Sequence, residues 1–132
     1  LQIGRMVMKG NYNTIKYQHR DYPKYWNTHY RLEATVDLQN LLEATMNKAT
    51  FSKVKQPTLA LYYYKDKENQ DHVVNVEATK KMMEEIATPA ELKSAVAVNT
   101  GNHVLASPLV SKDVATVEKL TVEFIANKII KK

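Results

Sequence analysis

Residues 56–76 read QPTLALYYYKDKENQDHVVNV, and this stretch decides the fold. Leu59, Leu61 and Tyr63 fall on one face of a strand and Ala60, Tyr62 and Tyr64 on the other. Both faces are apolar or amphipathic, as for an interior strand of a parallel sheet. Pro57 stands at the start of the strand, where a missing N–H does least harm. Past Tyr64 the chain turns polar through Lys65, Asp66, Lys67, Glu68, Asn69, Gln70 and Asp71. Apolar spacing at Ala78, Met82, Met83 and Ile86 then predicts a helix. A carboxylate loop beyond the carboxyl end of a parallel strand lies where open α/β sheets place their sites.

A second unit repeats the plan. Lys93 to Val98, KSAVAV, predicts a short strand, and Asn99 to Pro108, NTGNHVLASP, is its loop. Ser111 is the expected N-cap of a helix with Asp113 in its first turn, and Val114, Val117, Leu120, Phe124 and Ile125 lie along one side. Gly101 is the only glycine after Gly10, and it stands two residues before His103. A glycine there lets the backbone turn tightly and aim the following side chains back over the sheet. One strand therefore ends at an acid and the next at a histidine.

This order of strand, aspartate loop, helix, strand, Gly-x-His loop and last helix resembles the C-terminal portion of the α/β-hydrolase fold, whose triad runs Ser, Asp or Glu, His. Asp71 is followed by valine at plus three (Val74) and alanine at plus seven (Ala78), as in the acid loop of that family, and His103 follows the last strand as the family's histidine does. The resemblance covers residues 56–132. It implies the last two strands of a parallel α/β-hydrolase core with their helices, and residues 1–55 as a helical cap or lid segment of the esterase and lipase type. It further implies an esterase-like serine hydrolase in which His103 is the triad base and Asp71 the acid, Asp66 being the alternative. Asp66 is nearer the strand end, whereas Asp71 has the better spacing downstream if Lys65 to Gln70 is an insertion. Val104, Leu105 and the tyrosines near the strand end would line a pocket for a small acyl substrate.

The family's nucleophile elbow, Gly-x-Ser-x-Gly, needs small residues around a strained turn. None of Ser52, Ser94, Ser107 and Ser111 has a glycine two positions to either side. The nucleophile is thus expected outside these residues, in an N-terminal part of the same fold, and the opening LQIGRMVM reads as a helix joined midway. Two parallel strands cannot cover both of their own apolar faces, which also calls for neighbouring strands from elsewhere.

Composition fits a globular protein: 132 residues, 44% hydrophobic and 25% charged. Cysteine is absent, which excludes disulfides and thiolate chemistry within these residues. No apolar run approaches membrane-spanning length and no signal peptide is recognisable, so the expectation is a cytoplasmic protein. No glycine-rich phosphate loop and no metal-ligand spacing stand out, and no cofactor is expected.

Residues 1–31 carry the whole net charge of +5: six Lys or Arg (Arg5, Lys9, Lys16, Arg20, Lys24, Arg31) stand against Asp21 alone. Within them Asn11 to Arg31 holds five tyrosines and the single tryptophan. Basic residues interleaved with aromatics are one signature of nucleic-acid binding. A lid with its rings packed and its charges in water has the same pattern, and that is the reading preferred here. Asp37 to Asn47 predicts a helix through Leu38, Leu41, Leu42, Thr45 and Met46, and Leu1 to Lys9 the end of another. His19, His29 and His72 read as structural or solvated. The rival to the hydrolase is a binding module that docks a partner through residues 11–31. Within the enzyme class a peptidase, or a dehalogenase with an aspartate nucleophile, shares the fold.

Overall fold

The structure, a computed structural model, describes residues 10–17 and 19–130. The helix end expected over Leu1–Lys9 lies outside the described residues. The chain divides into two compact units, Leu1–Asn47 and Lys48–Lys132. Lys48–Lys55 thus groups with the strand it leads into.

In the first unit β1 (Tyr12–Thr14) and β2 (His29–Arg31) pair antiparallel, Tyr12 opposite Arg31 and Thr14 opposite His29. The ladder is extended at both ends, by Ile15 N–H donating to Thr28 O at 2.8 Å and Leu32 N–H to Asn11 O at 2.9 Å. Between the strands lies a 3-10 turn at Tyr22–Lys24. Rings stack on rings: Tyr12 on His29 at 4.6 Å, Tyr22 on Trp26 at 4.6 Å and Tyr17 on Tyr22 at 5.8 Å. The helical cap segment expected over residues 1–55 is therefore corrected in its described part, which also holds these two strands. Three-residue strands have no room for the alternation by which a strand is read, and stacking sets this ribbon. α1 spans Leu32–Thr45, starting well before the expected Asp37, with extended Arg31 as its N-cap and Leu32 buried. Asp37 is an exposed residue in its interior, and Leu38, Leu41, Leu42 and Met46 are also exposed.

The second unit has the α/β plan. Short α2 (Lys48–Phe51) leads to β3 (Thr58–Tyr63), α3 (Val76–Glu85), β4 (Lys93–Val98) and α4 (Val114–Lys128). β3 and β4 are parallel and in even register, Thr58 opposite Lys93 and Tyr63 opposite Val98, so both carboxyl ends lie at one end of the sheet. The ends of α3 are both satisfied. Asn75 Oδ1 accepts from Ala78 N–H at 3.1 Å, and Lys93 Nζ donates to Met83 O at 2.7 Å and Ile86 O at 3.3 Å, where a cation also meets the negative end of the helix dipole. The N-cap of α4 is Asp113, not Ser111: Asp113 Oδ1 accepts from Thr116 N–H at 3.0 Å, while Ser111 Oγ accepts from Asp113 N–H at 3.3 Å.

The core of this unit is Val76, Met83, Ile86, Val98 and Val117, each no more than 6% exposed. Burying a side chain of this kind contributes about 1.5–3 kcal/mol. Thr88, 3% exposed, donates its hydroxyl to Gln56 O at 2.8 Å and so ties the approach to β3 to the segment before β4.

Candidate functional site

Two loops leave the carboxyl ends of β3 and β4 side by side. Beyond β3, Tyr64 N–H still reaches Val98 O at 3.2 Å. The chain then makes a small closed excursion, with Tyr64 and Gln70 bridged across its base and Lys65 N–H donating to Asn69 O at 2.9 Å. Asp66 holds that excursion shut. Its Oδ1 accepts from Glu68 N–H at 3.1 Å, Asn69 N–H at 2.8 Å and Asn69 Nδ2 at 2.7 Å. The excursion returns the chain to the strand end, where Asp71 N–H donates to Tyr63 O at 2.9 Å.

Asp71 is thereby fixed to β3 by its backbone, and its side chain is only 5% exposed. Oδ1 accepts from Val73 N–H at 2.8 Å and Val74 N–H at 2.9 Å, and Oδ2 lies 2.6 Å from His103 Nδ1. Burial pushes the Asp71 carboxyl up, but the bonds from His103, Val74 and Val73 outweigh it and hold the group below the ordinary carboxylate range. An ionised carboxylate can only accept, so Nδ1 carries the proton and donates to Oδ2. In the neutral ring Nε2 would then be the lone-pair nitrogen, and among the described residues it takes no hydrogen bond. The His103 side chain is 40% exposed, open to a reacting group.

His103 comes off β4 through a turn with its own fixings. Thr100 has no exposed surface. Its hydroxyl donates to Asn102 O at 2.9 Å, and its carbonyl accepts from Lys112 N–H at 2.8 Å. Gly101 has φ +69°, the left-handed region that favours glycine, and the stem of Lys112 lies against its open side. Asn102 Oδ1 accepts from Val104 N–H at 2.8 Å.

The structure thus brings Asp71 and His103 together and leaves Asp66 inside its own turn. The Asp66 carboxyl is also held below its usual range, chiefly by the Asn69 side chain; burial opposes this, and the Asn69 and Glu68 amides and Lys65 add to the lowering. Val104 and Leu105, expected to line a pocket, are half-buried. A groove of about 570 Å³ beside α3, bordered by Tyr62, Met83, Lys93 and Ala95, includes neither Asp71 nor His103. Reading the sequence missed Thr100 and Asn102. For Asn102 a signal existed, since Asn two residues before an amide favours a side-chain turn. For the Thr100 hydroxyl none did.

The other histidines have local roles or none. His19 Nδ1 accepts from Asp21 N–H at 3.1 Å, His29 Nδ1 lies 2.9 Å from Thr14 Oγ1, and His72 is exposed. Among the described residues no three His, Asp or Glu side chains converge as metal ligands, and no helix is long and apolar enough to cross a membrane. No family model, no curated protein and no solved structure matches the chain.

Proposed function

We propose that these residues carry the acid and base of a Ser-Asp-His hydrolase of the α/β-hydrolase type, acting on ester or related acyl bonds, with the serine supplied from outside residues 1–132. The observation that supports it is the 2.6 Å bond between Asp71 Oδ2 and His103 Nδ1 at the carboxyl ends of adjacent parallel strands. In that chemistry His103 Nε2 takes the seryl proton as the oxygen attacks the acyl carbon. It then returns the proton to the leaving oxygen, and water repeats the cycle on the acyl-enzyme. Asp71 holds the Nδ1–H tautomer and stabilises the imidazolium that forms. The oxyanion donors would accompany the serine.

The test is labelling of the full-length protein with a fluorophosphonate probe, alongside hydrolysis of a p-nitrophenyl ester. The expected result is one labelled serine and turnover, both lost in His103→Ala, with residues 1–132 alone inactive. Turnover by the full-length protein that does not need His103 would overturn the reading. The binding-module alternative draws on Tyr25 and Tyr12, which are 70% and 49% exposed. It would require partner capture that fails when those rings are removed and no labelled serine anywhere in the full-length protein.

A further inference from the structure

We propose that Thr100 and Asn102 are positioning residues for His103, pinning the two peptide units that flank it so that its ring meets Asp71. The peptide before His103 presents the Asn102 carbonyl, which accepts the Thr100 hydroxyl at 2.9 Å. The peptide after it presents the Val104 N–H, which donates to Asn102 Oδ1 at 2.8 Å. Turning φ or ψ of His103 rotates one of these planes against the other, so holding both fixes the direction in which the side chain leaves the backbone.

The anchor for this arrangement is itself immobilised. Thr100 has no exposed surface, and its carbonyl is bonded to the Lys112 amide just before α4. A valine would fill the same space, so the hydroxyl matters for its bond. A hydroxyl in a fully enclosed position is retained at a desolvation cost unless it is paired, and here its partner is the carbonyl that orients His103. Gly101 between them supplies the left-handed turn that brings hydroxyl and carbonyl together.

The catalytic consequence rests on the hydrolase reading, whereas the geometric one rests only on the Asp71–His103 bond. A misplacement of about 1 Å at a reacting group costs about 100-fold in rate. The full-length protein with Thr100→Val should therefore lose about 100-fold in kcat with KM little changed, and Thr100→Ser should restore it.

The structural readout is the downfield proton resonance of His103 Nδ1–H, assigned by its disappearance in His103→Gln. It should be present in the parent and in Thr100→Ser. It should be lost or broadened in folded Thr100→Val and in Asn102→Ala, which keeps the buried hydroxyl and carries the test should Thr100→Val not fold. A resonance and a kcat unchanged in both folded variants would overturn the positioning role and leave the hydrolase reading standing. Loss of the resonance in a protein whose hydrolysis ignores His103 would do the reverse. A parent protein without the resonance would remove the pairing and the positioning role with it.

Discussion

Asp66 and Asp71 make the same local turn and end in different places. Each directs Oδ1 at the amides two and three residues ahead, Glu68 and Asn69 for the first, Val73 and Val74 for the second. The difference lies in what holds the backbone and where the second oxygen goes. Asp66 sits at the mouth of an excursion whose bonds, among the described residues, close on itself, and the Asn69 side chain adds a third bond to the same Oδ1. Asp71 is bonded through its own N–H to Tyr63 at the end of β3, and that anchor presents Oδ2 to a loop from β4. The same turn chemistry is local in one case and long-range in the other, and the parallel register of the two strands separates them.

The largest effect expected from breaking this contrast is on turnover. On the proposed hydrolase reading, Asp71→Asn in the full-length protein should leave substrate binding nearly unchanged and lower kcat by as much as about four orders of magnitude, because the amide cannot hold the Nδ1–H tautomer or stabilise imidazolium. Steady-state kinetics of the Asp71 and Asp66 variants side by side make the check. A large loss at Asp66 instead would transfer the role to it, and small losses in both would remove the acid assignment.

Next comes the turn that delivers the histidine side. Gly101→Ala puts an L side chain at φ +69° and a Cβ 3.0 Å from Lys112 Cδ. The lysine stem can move aside, so most of the cost is backbone, about 1–2 kcal/mol. Thermal unfolding should show Tm lowered by several degrees. An unchanged Tm would mean that the turn tolerates another conformation and that its strain does not guide His103.

How far the sequence showed this contrast depends on which forces were at work. β3 and β4 were legible because short, largely apolar runs bounded by polar loops mark strands, and the observed strands fall within Gln56–Tyr64 and on Lys93–Val98; among the described residues they form a two-stranded sheet, so neither is the interior strand that was expected. The approach of Asp71 to His103 was legible as order along the chain, through the resemblance, but not as a distance. What was not legible was carried by pairs of polar atoms. The Thr100 hydroxyl and Asn102 carbonyl leave no periodic trace, and Asp113 took the cap position that Ser111 had equal title to. In the first unit, β1 and β2 are too short for any period, and α1 begins at Leu32 without a side-chain cap to announce it.

Acid sharpens the contrast between the two carboxylates. The folded Asp71 carboxyl titrates below its unfolded value of about 3.9. Its contribution to stability is thus fully present above that value and is lost as pH falls through the lower, folded one. The Asp66 carboxyl is shifted in the same direction, but its partners lie within three residues, and such a turn persists in part in the unfolded chain. Tm measured from about pH 6 down to about pH 2.5 should fall less steeply in Asp71→Asn than in the parent, and Asp66→Asn should follow the parent more closely. Parallel curves for the parent and Asp71→Asn would show that the His103 and amide bonds do not favour the ionised form.

The smallest effect belongs to Asp66→Asn at neutral pH, and its smallness is the point of the comparison. Asparagine keeps Oδ1 as an acceptor for the Glu68 and Asn69 amides, so the excursion stays closed. What the substitution removes is a negative charge beside Lys65 and the charge assistance of the bond from the Asn69 side chain to the same Oδ1, in a loop whose neighbours Lys65, Lys67, Glu68 and Asn69 are exposed. Water and salt screen such a charge. The Tyr64–Gln70 bridge and the Asp71 N–H bond to Tyr63, on which the position of Asp71 depends, involve no atom of the Asp66 side chain. The kcat of Asp66→Asn should therefore stay within about two- to threefold of the parent and Tm within about 2 °C. A ten-fold fall in kcat with Tm unchanged would show that the excursion does more than return the chain to β3, and that its own carboxylate sets where Asp71 stands.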